Sequence, residues 1–576
     1  MTKLQWVALA LVCALALPMA AQQRGPAASD GYRIAGVAIN STSNLPVARA
    51  HVTISLTSGN FSRTVTTGED GRFAFDHLRA GKYALAGERR GFASQGYEQH
   101  EEVFSTAIAV GPNLDAGNLV FRLAPDASFS GRITDDGNEP VRNARVMLVH
   151  ELMVEGRMGK HIVGDASADD QGRYHFAHLK PGDYYIAVSA RPWYAQPPFM
   201  GRMGFRGDDA GIVGFGGGSG DGPSNSALDF AYPLTFYPDV SDAASASAIT
   251  LQAGDRASAD IMMRAVPALH VRLNNAAGPR KGDEPRQFVN ATLVQTMFDG
   301  IEVPMQTMTR PLGGNASMIS GVAPGHYLLR ETSNMRRLRG MAQPATGEEQ
   351  EQTAQEQRAR VREVDLVSDT ELDASEMAPT TTISGAVKLA NGQAPSKPPV
   401  IELRRGAMRR SFGAAADANG EFAFPEGFTA GSYEVTMSSN DDLFIGKVTA
   451  TGAKTTGRML HIGGSEAVKL NIVASAGAGK VEGVALRDGK PQSGAMILLV
   501  PQDAENNRPL FRRDQSDSDG SFTLANVAAG RYTLLALEKG WELQWGDAAV
   551  LKPFLANGEK LVVEAKGKYE ARVTVQ

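Results

Sequence analysis

Short runs of alternating apolar and polar side chains recur along this chain, and the turns between them recur in nearly the same letters. Val52, Ile54 and Leu56 alternate with Thr53 and Ser55, the pattern of a strand with one buried face. Phe73 and Phe75 continue the pattern after an Asp70-Gly71 turn, and Leu78, Gly81 and Tyr83 follow. The same order returns as Gly172, Tyr174, Phe176, Leu179, Gly182, Tyr184 and as Gly520, Phe522, Leu524, Val527, Gly530, Tyr532. In these three copies the two glycines stand ten residues apart. Another copy, Gly420 to Gly431 with Phe422, Phe424 and Tyr433, is one residue longer. A degenerate one places Asn315 ten residues before Gly325, with Met318, Val322 and Tyr327 in the remaining slots. Asn tolerates positive φ better than most non-glycine residues, so a turn survives there.

An opening strand with an internal glycine precedes four of the five copies: Ile34-Ala35-Gly36-Val37, Phe129-Ser130-Gly131, Ile383-Ser384-Gly385 and Val481-Glu482-Gly483. A Pro-x-x-x-Ala step into a second strand follows at Pro46–Ala50, Pro140–Ala144 and Pro491–Ala495. Short alternating strands with regular turn signals predict an all-β chain of tandem β-sandwiches. The period is domain-sized, not that of a solenoid. The expected division is 31–126, 127–266, 267–378, 379–477 and 478–576, the third being degenerate. Residues 200–227 form a glycine-rich loop in the second module, and 341–363 a polar, helix-permissive insert in the third. The modules are expected to touch mainly their neighbours in sequence, with helix scarce throughout.

The Gly-containing opening strand, the Pro-x-x-x-Ala step and the Asp-x-x-Gly-x-Phe…Gly-x-Tyr close together resemble the carboxypeptidase regulatory-like domain. That resemblance implies a transthyretin-like β-sandwich, close to starch-binding-like folds, in five tandem copies. It also implies secretion and location at a bacterial envelope. Stretches around Tyr237-Pro238 to Gly254 and around Leu551-Lys552-Pro553-Phe554 are similar to tails in the same group.

Residues 1–21 fit a secretory signal peptide: Lys3, an apolar run from Leu4 to Leu17, and a small-residue exit ending at Ala21. The apolar run is short for a membrane span, and no later segment resembles one. Cys13, the single cysteine, lies inside this segment. A chain starting near Gln22 then has no disulfide, thiolate metal site or thiol nucleophile. A net charge of −5 from 58 basic and 63 acidic residues, without a basic stripe, argues against nucleic acid as a partner.

Catalytic and metal motifs are mostly missing. No histidine has Glu three residues later, as the zinc carboxypeptidases have, and His-Glu-x-x-His does not occur. His175-x-x-His178 has a metal-like spacing, but His178 before Leu179 matches His77 before Leu78, which reads as a repeated turn slot. Asp169-Asp170 and Asp514…Asp517-Ser518-Asp519-Gly520 read either as calcium loops or as Asp-capped turns with Gly at positive φ. Gln515 breaks the EF-hand frame, and capping explains the recurrence. Gly71, Gly172, Gly420 and Gly520, with their followers Gly81, Gly182, Gly431 and Gly530, are accordingly structural. No nucleophile elbow, phosphate loop or dinucleotide fingerprint is present. No catalytic residue, metal or cofactor is expected.

One aromatic slot remains. Phe92, Trp193 and Trp541 each follow the closing tyrosine by nine residues, and Tyr194 adjoins Trp193. Trp541, Leu543 and Trp545 share a face if that stretch is a strand. The slot either plugs a sandwich end or a joint, or offers a stacking platform to a sugar ring. The resulting expectation is an exported, non-catalytic binding or spacer protein, most concretely a polysaccharide binder using Trp193, Tyr194, Trp541 and Trp545. The alternative is an accessory subunit of a separate peptidase, glycosidase or outer-membrane transporter, bound to an envelope protein.

Overall fold

The computed structural model describes residues 31–576 except 196–227, 275–287, 299, 313–315, 335–359, 375–376, 406–409, 426, 440–442 and 465–466. The signal segment 1–21, the glycine-rich loop 200–227 and Asn315 therefore lie outside the described residues. So does most of the polar insert, whose end instead begins the strand Arg360–Leu366.

The chain is an all-β array of sandwiches. Buried apolar side chains form clusters within 34–123, 127–263, 271–377, 383–474 and 481–575, each between two sheets. In every sandwich the opening strand pairs antiparallel with the turn strand and parallel with the last strand. In the second sandwich Ala127–Asp135 lies between Arg173–Leu179 on one side and Arg256–Ser258 and Ile261–Met263 on the other. In the fifth, Gly479–Arg487 lies between Ser521–Val527 and Lys568–Thr574. The facing sheet pairs the second strand with the strand of the closing tyrosine, as Arg145–Val154 does with Gly182–Ser189.

These pairings explain the repeated letters. A Cβ on Gly131 would lie 2.1 Å from Ala259 O, so this glycine lets the parallel partner approach. Gly36, Gly385 and Gly483 face the same obstacle at 2.2, 2.2 and 2.1 Å. At the turn, Gly71, Gly172, Gly420 and Gly520 have φ of 72°, 73°, 80° and 75°, a region other residues enter only with strain. The proline of the Pro-x-x-x-Ala step pairs back to the opening strand, as Pro46 does to Ile39 and Pro140 to Thr134. The alanines Ala50, Ala144 and Ala495 that end the step are buried.

Gly81, Gly182, Gly431 and Gly530 each begin the strand that carries the closing tyrosine. Every closing tyrosine turns its hydroxyl back to the carbonyl four residues earlier. Tyr83 donates to Arg79 O, Tyr184 to Lys180 O and Tyr327 to Ala323 O. Tyr433 donates to Thr429 O and Tyr532 to Ala528 O. The degenerate third copy thus keeps the same corner. Burial pushes the Tyr184 and Tyr327 hydroxyls up to about 12.

Contacts are not confined to sequence neighbours, contrary to the sequence expectation. The tip of the Arg145–Val154/Arg157–Ser167 hairpin reaches the fourth and fifth sandwiches. There Glu155 Oε1 is 3.2 Å from Arg404, and Gly546 N donates to Gly156 O at 2.9 Å. The first sandwich meets the fifth, with Lys82 Nζ 2.6 Å from Asp517 Oδ2. Helix is scarce among the described residues; Ala548–Leu555 covers the outer face of the fifth sandwich with Leu551 fully buried.

Candidate ligand-binding surface

The aromatic slot nine residues after the closing tyrosine meets three different fates. Phe92 pairs with Pro125 and packs against the core of its own sandwich. Trp193 follows the strand Gly182–Ser189 and is 74% exposed. Its loop is held from behind: Ala195 N donates to Pro192 O at 3.1 Å, and Arg191 Nη2 donates to Ala195 O at 3.1 Å. Tyr194 stands edge-on to Trp193 with ring centres 5.8 Å apart, and edge-on to Phe230 at 6.1 Å. Burial, with Asp136 and Asp135 nearby, pushes the Tyr194 hydroxyl up. The exposed indole therefore stands against Tyr194, itself packed on Phe230, so a ligand ring stacked on it would find the platform already ordered.

Trp541 and Trp545 are placed elsewhere. Their stretch is a short 3-10 turn, Gly540–Glu542, followed by a bend, and so does not give the shared strand face that the sequence suggested. Trp541 stacks on His100 of the first sandwich, 4.8 Å between ring centres and 7° between planes, and donates Nε1–H to Gly494 O. Trp545 is buried, with Arg513 Cζ 4.3 Å from its ring centre. A Cβ on Gly156 would lie 2.4 Å from its indole. Both rings fill joints, so the solvent-facing member of the slot is Trp193.

The acidic turns hold their own backbones. Asp169 Oδ1 accepts from the amides of Gln171 and Arg173, and Asp417 Oδ1 from those of Asn419 and Glu421. Among the described residues no cluster of three or more His, Cys, Asp and Glu could hold a metal. His77 and His178 occupy one slot of left-handed backbone, φ 59° and 56°, that Gly321 and Asn526 fill in other sandwiches. His178 then pairs with Asp126 at 2.5 Å rather than with His175.

Sequence reasoning missed one cluster beside the Trp193 loop. His270 Nε2 is 2.9 Å from Asp229 Oδ2, and its Nδ1 is 3.3 Å from Asp369. Burial raises the Asp229 carboxyl above its ordinary range. Asp229 and Asp369 lie 41 and 99 residues from His270, with several strands in between, so no spacing motif marks them.

Residues 33–114 match the carboxypeptidase regulatory-like domain. No curated protein matches the chain. Among solved structures, the Bacillus anthracis TIE protein is 10% identical over 96% of this chain and 76% of its own, with a TM-score of 0.16. A streptococcal ancillary pilin is 10% identical over 54% of this chain and 99% of its own, with a TM-score of 0.18. A Bacteroides uniformis protein provisionally described as carbohydrate binding is 11% identical over 28% of this chain and 89% of its own, with a TM-score of 0.13. Superpositions this loose say nothing about ligand or partner. No helix among the described residues is long and apolar enough to cross a membrane.

Proposed function

We propose that this is an exported, non-catalytic binding protein that holds a polysaccharide on the Trp193–Tyr194 surface of its second sandwich. The observation that carries the reading is the 74% exposure of Trp193 on a loop fixed by Arg191 and Tyr194. A flat apolar ring held on a fixed loop offers its face to water, and sugar rings stack on such faces through their C–H-bearing side. One stacked ring contributes about 1 kcal/mol, so a single contact binds weakly. Several chains on one polymer would hold it more firmly through effective concentration.

The test is retention of the full protein on insoluble polysaccharides, compared with Trp193→Ala. The exposed ring makes few core contacts, so the variant should keep its melting temperature and elute earlier. Equal retention of both proteins would remove Trp193 as the binding group. Absence of retention on every glycan offered would favour a protein partner at the envelope.

A further inference from the structure

The turn of the fifth sandwich differs from its siblings in where its aspartate points. Gly520 N donates to Asp517 O at 2.8 Å, as Gly172 N does to Asp169 O and Gly420 N to Asp417 O at 3.0 Å. Asp517 therefore holds the capping position. Asp169 and Asp417 use their carboxylates on their own turn amides. Asp517 instead sends its carboxylate to the first sandwich. Oδ2 accepts from Lys82 Nζ at 2.6 Å and Oδ1 from Ala107 N at 3.0 Å. Asp519 caps the local turn in its place, accepting from Ser521 N at 3.1 Å.

The rest of this joint is also polar. Ser518 N donates to Ala107 O at 3.0 Å, and Ala109 N donates to Ser518 Oγ at 2.8 Å. Gln515 Nε2 donates to Glu98 O and to Thr106 Oγ1, both at 2.8 Å. Its Oε1 lies 2.9 Å from His100 Nδ1, which must donate there. Arg513 pairs with Glu101 at 2.7 Å. Trp541 is the main apolar group, covered by His100 and Phe104. Polar joints within one chain behave like transient interfaces, and motion across them is the default.

We propose that the first and fifth sandwiches form a reversible clasp in which Asp517 toggles between Lys82 and its own turn. In the closed form its carboxylate bridges to Lys82 and Ala107 N. In the open form it takes the amide two residues on, as Asp169 and Asp417 do, and displaces Asp519 from the amide of Ser521. The turn backbone is the same in both, so release leaves no buried charge without a partner. Opening uncovers the face of Trp541.

A cysteine pair tests this, because Cys13 is the sole native cysteine and can be removed as Cys13→Ser. Ala109→Cys with Ser518→Cys, in the full protein, should form an intramolecular disulfide readily at low salt. The rate should fall at least fivefold in 1 M salt, and again when Lys82→Ala and Glu101→Gln are added. Cross-linking at one rate under all these conditions would show a static joint and overturn the proposal. No cross-link under any condition would overturn the contact itself. Because Ser518→Cys alters a joint residue, solution scattering on the protein without introduced cysteines provides a second reading. Lys82→Ala with Glu101→Gln should increase the maximum dimension while melting of the fifth sandwich stays put. An unchanged dimension would again overturn the clasp.

Discussion

Two joints in this molecule are built from opposite materials. Between the second and third sandwiches, Met147, Val149, Ala187, Leu234 and Phe236 close on Met297, Ile301 and Val303, all buried. Phe298 adds its ring edge-on to Phe236 at 5.5 Å. Between the first and fifth, the contacts are Lys82 with Asp517, Arg513 with Glu101, and Gln515 with a backbone carbonyl and a hydroxyl. Apolar burial scales with area, and close-packed apolar groups have no partner in water to exchange for, so parting the first joint forfeits its whole buried surface. Each polar group of the second can exchange its partner for water or for its own backbone at small net cost. The first joint is a weld; the second can work as a clasp.

The largest expected effect would break the weld. Phe236→Ala empties a site that is 1% exposed and should cost about 3–5 kcal/mol, lowering the transitions of the second and third sandwiches together in calorimetry. A shift confined to one of them would show that the joint does not couple the pair. Next comes Gly520→Val, at φ 75° with its Cβ 2.8 Å from Pro491 Cβ. It should cost about 1–3 kcal/mol and melt the fifth sandwich early, since the turn that carries Asp517 would be strained. Full retention of that transition would contradict the turn assignment.

A pH titration sharpens the polar side. Burial pushes the Asp514 carboxyl up to about 6, with Asp517 adding to the rise and Lys82 opposing it. The folded form then binds this proton more tightly than the unfolded chain does. Stability from this group is full below the ordinary carboxylate pKa and is lost as pH rises through about 6. Thermal unfolding from pH 4.5 to 7.5 should show the fifth sandwich losing on the order of 1–2 kcal/mol by this route. Asp514→Asn should flatten that slope, and an equally steep one would place the titrating group elsewhere. The smallest effect belongs to Lys82→Ala. Its ammonium is one-third exposed, so the variant should cost under about 1 kcal/mol, less in high salt. A loss of several kcal/mol in calorimetry would make the polar joint as rigid as the apolar one.

What the sequence disclosed follows from which forces act locally. The turn glycines, the opening-strand glycines and the Tyr83-type corners each answer to a backbone contact inside one sandwich, so they recur and can be read. The slot shared by His77 and His178 was also visible as a position before a leucine, and that kept His178 from being taken for a ligand; the structure adds its left-handed backbone and Asn526 as a third member. The aromatic slot was legible as a spacing and ambiguous as a role. Phe92, Trp193 and Trp541 share their place in the repeat, yet one faces its own core, one faces water and one faces another sandwich. Lys82 and Asp517 lie 435 residues apart, and no local pattern ties them. One signal was available and informative: the uninterrupted apolar run Met496–Val500, buried at every position, marks a strand covered on both faces. The covering elements, Ala548–Leu555 and Trp545, come from the chain that follows.

Hydrogen exchange at three backbone amides tests the contrast most directly. Ala107 N–H, Ala109 N–H and Ser518 N–H all donate across the first–fifth joint. Met305 N–H, beside the apolar joint, donates to Leu293 O at 2.9 Å and serves as the internal reference. The account predicts that Lys82→Ala with Glu101→Gln speeds exchange at the first three at least tenfold and leaves Met305 unchanged. Equal protection of all four amides in both proteins would contradict it.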